Sequence, residues 1–187
     1  MRVQRYGVLL AALALSACSG ETNGAEPTPP ADTTVSPPVS SSATTSPTTS
    51  PADAFVAYAE GGDEPVPWAE QVSYYVHGER YARLTASAAQ RRGNWLGCLP
   101  DATEYEGRGC PVSPLRTIRL AEPVIEDEEP TVVGCNKVRP PADVVYEDVS
   151  WVRPDPDKRD CFSDFVVAVY VDADGRITAV DLTLSGP

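Results

Sequence analysis

The sequence predicts an α+β fold in which a small antiparallel sheet packs against one to three short helices. Three observations lead to this prediction. Apolar residues alternate with polar ones in several short segments, above all near the C-terminus. Two Ser-Pro dipeptides precede short apolar stretches, and glycine-containing turns separate the segments. Together these patterns favour short strands and short helices within one domain.

The first predicted element is a helix that begins after Ser50. The sequence of residues 50–53 supplies a capping serine, a proline at the first helical position and an acid three residues after the cap. Phe55 and Ala59 then share one helical face. Gly61, followed by a second glycine, is expected to end the helix.

A strand is expected next, because Val72, Tyr74 and Val76 alternate with polar neighbours. Gly78 is placed in a turn, and residues 81–85 are expected to return as the partner strand.

Four shorter elements follow in the central region. They are a short helix over 85–92 closed by Gly93, a strand over 94–98, a helix over 113–120 with a strand as its main rival, and a strand over 149–152.

A C-terminal β-hairpin is the clearest prediction. Its alternating apolar residues are Phe165, Val167, Val169 and Val171 on one strand and Val180, Leu182 and Leu184 on the other. The segment 172–175, with sequence DADG, is expected to form the turn. Its acids resemble the opening of a calcium loop, but the twelfth position is Thr183 where that loop needs a glutamate. The hairpin is therefore expected to cover the core from one side.

The N-terminus has the sequence pattern of an export signal. Arg2 and Arg5 precede an apolar run over residues 7–15, which is too short to cross a bilayer. The following residues, Leu15-Ser16-Ala17-Cys18, match every position of the lipobox and so resemble bacterial lipoproteins. That resemblance implies a diacylglyceryl group on Cys18, cleavage by signal peptidase II just before it, and a lipid-anchored protein on the extracytoplasmic face of the cell membrane. An ordinary secretory signal is the alternative.

Composition divides the rest of the chain. Residues 19–52 are dominated by Pro, Ser and Thr, contain no aromatic residue, and are expected to be disordered because they offer little apolar surface to bury. Such a Pro-rich tether reaches about 100 Å at most. The predicted organisation is a signal peptide over 1–17, a lipidated cysteine and tether over 18–52, and one folded domain over 53–187.

Four cysteines remain once Cys18 is assigned to lipid. Cys98, Cys110, Cys135 and Cys161 are an even number in an exported domain, which is typical of two disulfides. Pairings Cys98–Cys110 and Cys135–Cys161 are preferred because each closes a modest loop. A zinc site is the rival, but its usual close Cys-x-x-Cys pairs do not occur. No metal or other cofactor is predicted.

The charge balance limits the partners. The chain has a formal net charge of −12, and 24 of its 27 acidic residues lie in the folded domain. Since no basic stripe occurs, nucleic-acid binding is not expected. The acidic domain is also not expected to adhere to anionic lipid, so the Cys18 lipid would hold the protein at the membrane. An unknown protein or cell-envelope component is the expected partner.

One segment suggests a specific binding loop. Asn136, Lys137 and Val138 follow Cys135 directly, and a disulfide would pin them in place. The order of cysteines and elements is similar to that of the secreted bacterial subtilisin-inhibitor family. That resemblance implies that Lys137 is the primary-specificity residue of a tethered serine-protease inhibitor. Asn136 stands where that family has proline, and Asp160 where it has asparagine before the last cysteine.

Catalysis has few candidate residues. His77 is the only histidine and lies beside Gly78, at a predicted hairpin tip where a polar residue needs no special role. Paired carboxylates remain a route to hydrolysis, while the acidic run over 126–129 is expected to be a solvated loop.

Tyr75 alternates out of phase with its neighbours and is expected to face the other side of the sheet. The leading hypothesis is a non-enzymatic binding or structural lipoprotein, with the inhibitor and a hydrolase as alternatives.

Overall fold

The computed structural model describes residues 49–186, so the predictions for the signal peptide, Cys18 and most of the tether lie outside the described residues. The four helices are α1 (Pro51–Glu60), α2 (Ala86–Ala89), α3 (Arg92–Leu96) and α4 (Pro114–Arg119). The strands are β1 (Trp68–Val76), β2 (Glu79–Thr85), β3 (Glu104–Tyr105), β4 (Pro123–Glu126), β5 (Val132–Val133), β6 (Asn136–Lys137), β7 (Asp148–Pro154), β8 (Phe165–Val171) and β9 (Ile177–Leu184). A short 3₁₀ helix spans Pro156–Lys158.

Seven of the strands form one sheet in the order β3-β2-β1-β9-β8-β7-β4. All neighbours are antiparallel except β1 and β9, which run parallel and join the first hairpin to the last one. Strands β5 and β6 form a separate two-stranded hairpin. The predicted α+β class and the C-terminal hairpin are confirmed, with four helices in the described residues where at most three were expected.

Helix α1 begins and ends as its sequence predicts. The Ser50 hydroxyl accepts a hydrogen bond from the Asp53 backbone N–H at 3.1 Å, and Pro51 occupies the first helical position. Gly61 ends the helix in the left-handed conformation, with φ at 111°. Phe55 is completely buried and meets Trp68 edge-on, with ring centroids 5.7 Å apart.

The helices cover one face of the sheet. There Trp95 stacks on Trp68 at a centroid distance of 5.4 Å, and the apolar residues of the C-terminal hairpin complete the core. Residues 94–98 were predicted as a strand, and that prediction is wrong. Asn94 and Trp95 instead lie in α3, where both side chains donate to carbonyls at the end of α2. A strand would have sent these two neighbours to opposite faces.

The second face of the sheet is also covered. The segment between β4 and β7, which includes the β5–β6 hairpin, packs over a smaller cluster around Trp151, Tyr170 and Val133. Tyr75 belongs to this cluster, so its predicted orientation is confirmed. The C-terminal hairpin is thus buried on both faces, where the alternation indicated only one.

Both predicted disulfides are present. Cys98 and Cys110 have Cα atoms 4.4 Å apart, and those of Cys135 and Cys161 are 5.0 Å apart. The first fastens the loop after α3, and the second fastens the β5–β6 turn to the segment that precedes β8.

Candidate ligand-binding site

The turn between β1 and β2 forms one wall of the candidate site. His77 and Gly78 both have positive φ values, 54° and 80°, as a two-residue hairpin turn requires. The backbone N–H of His77 donates to Leu182 of β9 at 2.9 Å, which ties the turn to the last strand. A Cβ on Gly78 would lie 2.3 Å from the Arg139 carbonyl oxygen, so only glycine lets the two segments meet.

The β5–β6 hairpin forms the opposite wall. Val132 pairs with Lys137 and Val133 with Asn136, around a turn made by Gly134 and Cys135. The Cys135–Cys161 disulfide holds this turn in place. The amide of Asn136 donates to the Gly186 carbonyl at 3.0 Å, which fixes its side chain against the end of the chain.

Between these walls lies a pocket of about 380 Å³, which we call the basic pocket. It is lined by His77, Cys135, Asn136, Lys137, Arg139 and Thr183. Pockets of this size suit small ligands. The structure therefore brings His77 together with Asn136 and Lys137, which the sequence singled out for unrelated reasons.

The floor of the basic pocket contains a buried polar group. Thr183 is 1% exposed, and among the described residues its Oγ1 has no hydrogen-bond partner. A buried hydroxyl without a partner is costly in a protein interior. Asp181 lies two residues before Thr183 on the same face of β9; it is buried and accepts a hydrogen bond from the Gly78 N–H at 3.2 Å. Burial raises the pKa of Asp181 to about 6.

Most basic residues of the domain are already paired. Within residues 49–186, ion pairs to carboxylates are formed by Arg80, Arg83, Arg91, Arg92, Arg153, Lys158, Arg159 and Arg176. The other five bases of this region form no ion pair: Arg108, Arg116, Arg119, Lys137 and Arg139. Two of these five, Lys137 and Arg139, line the basic pocket, so within the described residues no carboxylate lies at ion-pair distance from either of them.

Other predicted site residues lie elsewhere. Val138 is partly buried against the second face of the sheet, so it does not line the basic pocket. Within the described residues, the His77 imidazole has no hydrogen bond to a carboxylate that would orient it as a general base. The three tryptophans are buried in the two cores, where they form no exposed platform.

The acidic run has a partly structural role. Glu126 ends β4 and forms an ion pair with Arg159 at 2.5 Å, so this position is a strand end where a loop was expected. A pocket of about 460 Å³ beside it contains both acids and arginines, including the buried pair of Asp164 with Arg153. Among residues 49–186, no group of three or more acids, histidines or cysteines is arranged to hold a metal ion.

Arg139 and Thr183 are the site residues that sequence reasoning missed. Thr183 lies in the polar phase of β9, which the alternation assigned to solvent. Arg139 precedes two prolines in a segment without periodicity.

No family model, curated protein or solved structure matches this chain. In the described part of the chain no helix is long and apolar enough to span a bilayer.

Proposed function

We propose that this chain is a lipid-anchored, non-enzymatic binding protein of the extracytoplasmic membrane surface. Its folded domain takes a small ligand that carries an oxyanion, such as phosphate or carboxylate, in the basic pocket. The Cys18 lipid provides the anchor, and the Pro/Ser/Thr-rich tether carries the domain away from the bilayer. The lipobox match supports the anchor, and the two disulfides fit an exported domain.

One observation carries the ligand assignment: two unpaired cations line a pocket with a buried, unpartnered hydroxyl at its floor. Lys137 and Arg139 can only donate hydrogen bonds, and the Thr183 hydroxyl can donate as well. An oxyanion in the pocket accepts from Lys137 and Arg139 and neutralises their charge, and hydrogen bonds between charged groups are stronger than those between neutral ones. Asp181 already accepts from Gly78 and does not line the pocket.

The ligand assignment is tested by calorimetric titration of the full mature chain in detergent with inorganic phosphate, and separately with acetate. Lys137→Gln or Arg139→Gln should each weaken binding by about tenfold or more, since a hydrogen bond to a charged group contributes roughly 1.5–3 kcal/mol. Arg116→Gln is the control, because it removes an unpaired cation that lines a different pocket. Equal affinity in all three variants, or no binding of either anion, would refute the assignment.

The anchor is tested by labelling cells with a radioactive fatty acid. The wild-type chain should incorporate label, and Cys18→Ser should lose it. Persistent labelling of the variant would show that the lipid is attached elsewhere.

The tethered-inhibitor hypothesis keeps one observation in its favour. Lys137 is exposed on a hairpin whose turn is pinned by the Cys135–Cys161 disulfide. A protease would also have to accommodate the pairing of Lys137 with Val132. The hydrolase hypothesis rests on His77 or paired acids, and His77→Ala tests the histidine route directly: retained activity on any substrate found would remove it.

A further inference from the structure

A second group of unpaired cations lies around helix α4, on the helical side of the sheet. Arg116 and Arg119 lie in its last turn, and neither has an ion-pair partner among residues 49–186. The acid that follows them in the chain, Glu122, is already paired with Lys158. These two arginines are therefore free to meet an external negative charge.

Large apolar side chains are exposed beside the two arginines. Leu120 and Phe162 are each 81% exposed, and Leu96 is 53% exposed. Leu96 and Leu120 line one groove of about 500 Å³ together with Arg116 and Arg119. Leu120 and Phe162 line an adjoining groove of about 320 Å³. We call this continuous surface the α4 patch: Leu96, Arg116, Arg119, Leu120 and Phe162.

The chemistry of the α4 patch matches the interface of an anionic bilayer. Apolar side chains at such an interface insert among the acyl chains, while arginines remain at the level of the charged headgroups. The predicted Cys18 lipid keeps the domain within about 100 Å of a bilayer, so even a weak contact would be populated through its high effective concentration.

Overall charge does not decide this contact. The domain is strongly acidic, and composition alone argues against adhesion to anionic lipid. At physiological salt, however, charges beyond roughly 8 Å are screened, so the local arginines govern a shallow contact. The exposed apolar side chains add an attraction that salt does not screen.

We propose that the α4 patch docks the folded domain onto the anionic surface of the membrane that holds the Cys18 lipid. Leu120 and Phe162 enter the bilayer interface, and Arg116 and Arg119 bind lipid headgroups. The domain would then alternate between a docked and an undocked state. This inference rests on the anchor in the proposed function and is independent of the basic pocket.

The test uses tryptophan fluorescence of the full lipidated chain in vesicles of phosphatidylglycerol with brominated acyl chains. The three native tryptophans are buried, so their signal gives a constant background. Phe162→Trp and Leu120→Trp place a reporter in the α4 patch. Val145→Trp is the control, because Val145 is 88% exposed and follows Val144, which packs on the opposite face of the sheet.

Quenching at least twofold stronger for the patch reporters than for Val145→Trp is the expected result. Adding Arg116→Gln and Arg119→Gln to Phe162→Trp should reduce its quenching to the control level, as should vesicles of brominated phosphatidylcholine. Equal quenching of patch and control reporters overturns the proposal, as does patch quenching that ignores lipid charge. Substitutions in the α4 patch that change the sedimentation coefficient of the chain, but leave the quenching unchanged, would show that this surface binds a second copy of the chain.

Vesicle flotation separates the two possible failures. A chain that does not float has no anchor, which refutes the anchor and the docking together. A chain that floats without patch quenching refutes the docking alone.

Discussion

The buried carboxylate of Asp181 accepts a hydrogen bond from the backbone N–H of Gly78 at 3.2 Å, directly beneath the turn that walls the basic pocket. This contact links the last strand of the domain to its first hairpin. Because β1 and β9 run parallel at this point, Tyr75 of β1 is the register partner of Asp181. A central strand of the sheet thus carries an acid at the position that supports the pocket wall.

Replacing Asp181 should change how stability depends on pH. Its pKa is raised to about 6, from an ordinary value of 3.8, because burial penalises the charged form. The folded state therefore binds the proton more tightly, and the free energy of unfolding should fall as pH rises from about 4 to about 6. The loss is about 3 kcal/mol by linkage. Asp181→Asn should remove this decline in urea unfolding series at pH 4 to 7.

Asp172→Asn is the matched comparison, since hydrogen bonds from the backbone and side chain of Arg176 lower the pKa of Asp172. That carboxylate stabilises the fold when ionised, so its contribution is lost as pH falls below its ordinary range. The two variants should change the pH profile in opposite senses. An unchanged profile for Asp181→Asn would contradict the burial argument.

The sequence predicts which residues of β9 share a face but not what covers the other face. Val180, Leu182 and Leu184 define the apolar phase, and the structure places them in the larger core or against it. Asp181 and Thr183 occupy the polar phase, and both are buried. Their cover comes from the segment between β4 and β7, which has no regular alternation. Period-two patterns therefore could not reveal a second buried face.

The candidate site was predictable only in pieces. His77 stood out as the sole histidine and Lys137 as a residue beside a pinned cysteine, but 60 positions separate them. Their meeting depends on the parallel pairing of β1 with β9 and on the Cys135–Cys161 disulfide. The disulfide pairing was inferred correctly from loop lengths. The parallel pairing is a long-range choice that no local pattern encodes.

Gly78→Ala should destabilise the fold by at least about 2 kcal/mol. The alanine would have to adopt a left-handed φ of 80°, and its Cβ would clash with the Arg139 carbonyl at 2.3 Å. Urea unfolding measures the loss. Gly93→Ala in α3 is the control, because nothing lies within 4 Å of its added Cβ, and it should be neutral or slightly stabilising. Equal stability of the two variants would contradict the close approach.

Arg153→Met should lower the free energy of unfolding, because it leaves the buried carboxylate of Asp164 without its partner. The Arg153 guanidinium lies 2.7 Å from the Asp164 carboxylate, and the two side chains are 12% and 4% exposed. Removing one partner of such a pair costs about 3–5 kcal/mol. The double variant with Asp164→Asn should recover part of this loss in a thermodynamic cycle.

The exposed pair of Arg91 with Asp101 provides the contrast for that measurement. Arg91→Met should cost about 1 kcal/mol or less, since exposed ion pairs contribute little. Comparable losses for Arg91→Met and Arg153→Met would show that burial does not set the cost.

Both disulfides should stabilise the fold, but only Cys135–Cys161 should affect ligand binding. Replacing either pair by serines should cost about 3 kcal/mol, on the loop-entropy model. Loss of Cys135–Cys161 should also weaken phosphate binding, because this disulfide holds one wall of the basic pocket. Loss of Cys98–Cys110 should leave phosphate affinity unchanged, and calorimetry on the two double variants distinguishes the roles. A binding defect confined to the Cys98–Cys110 variant would contradict the placement of the site.

The role of Lys137 separates ligand binding from protease inhibition. Lys137 pairs with Val132 in the β5–β6 hairpin and lines the basic pocket, so we expect the full chain to leave a trypsin-like protease active at equimolar concentration. Residual activity on a chromogenic substrate is the measurement, and mass spectrometry of the mixture detects cleavage after Lys137. Lys137→Gln should behave like the wild type in this assay while losing affinity for phosphate. Stoichiometric inhibition that disappears in Lys137→Gln would instead establish the inhibitor function, because a lysine that only binds a small ligand would not inhibit a protease.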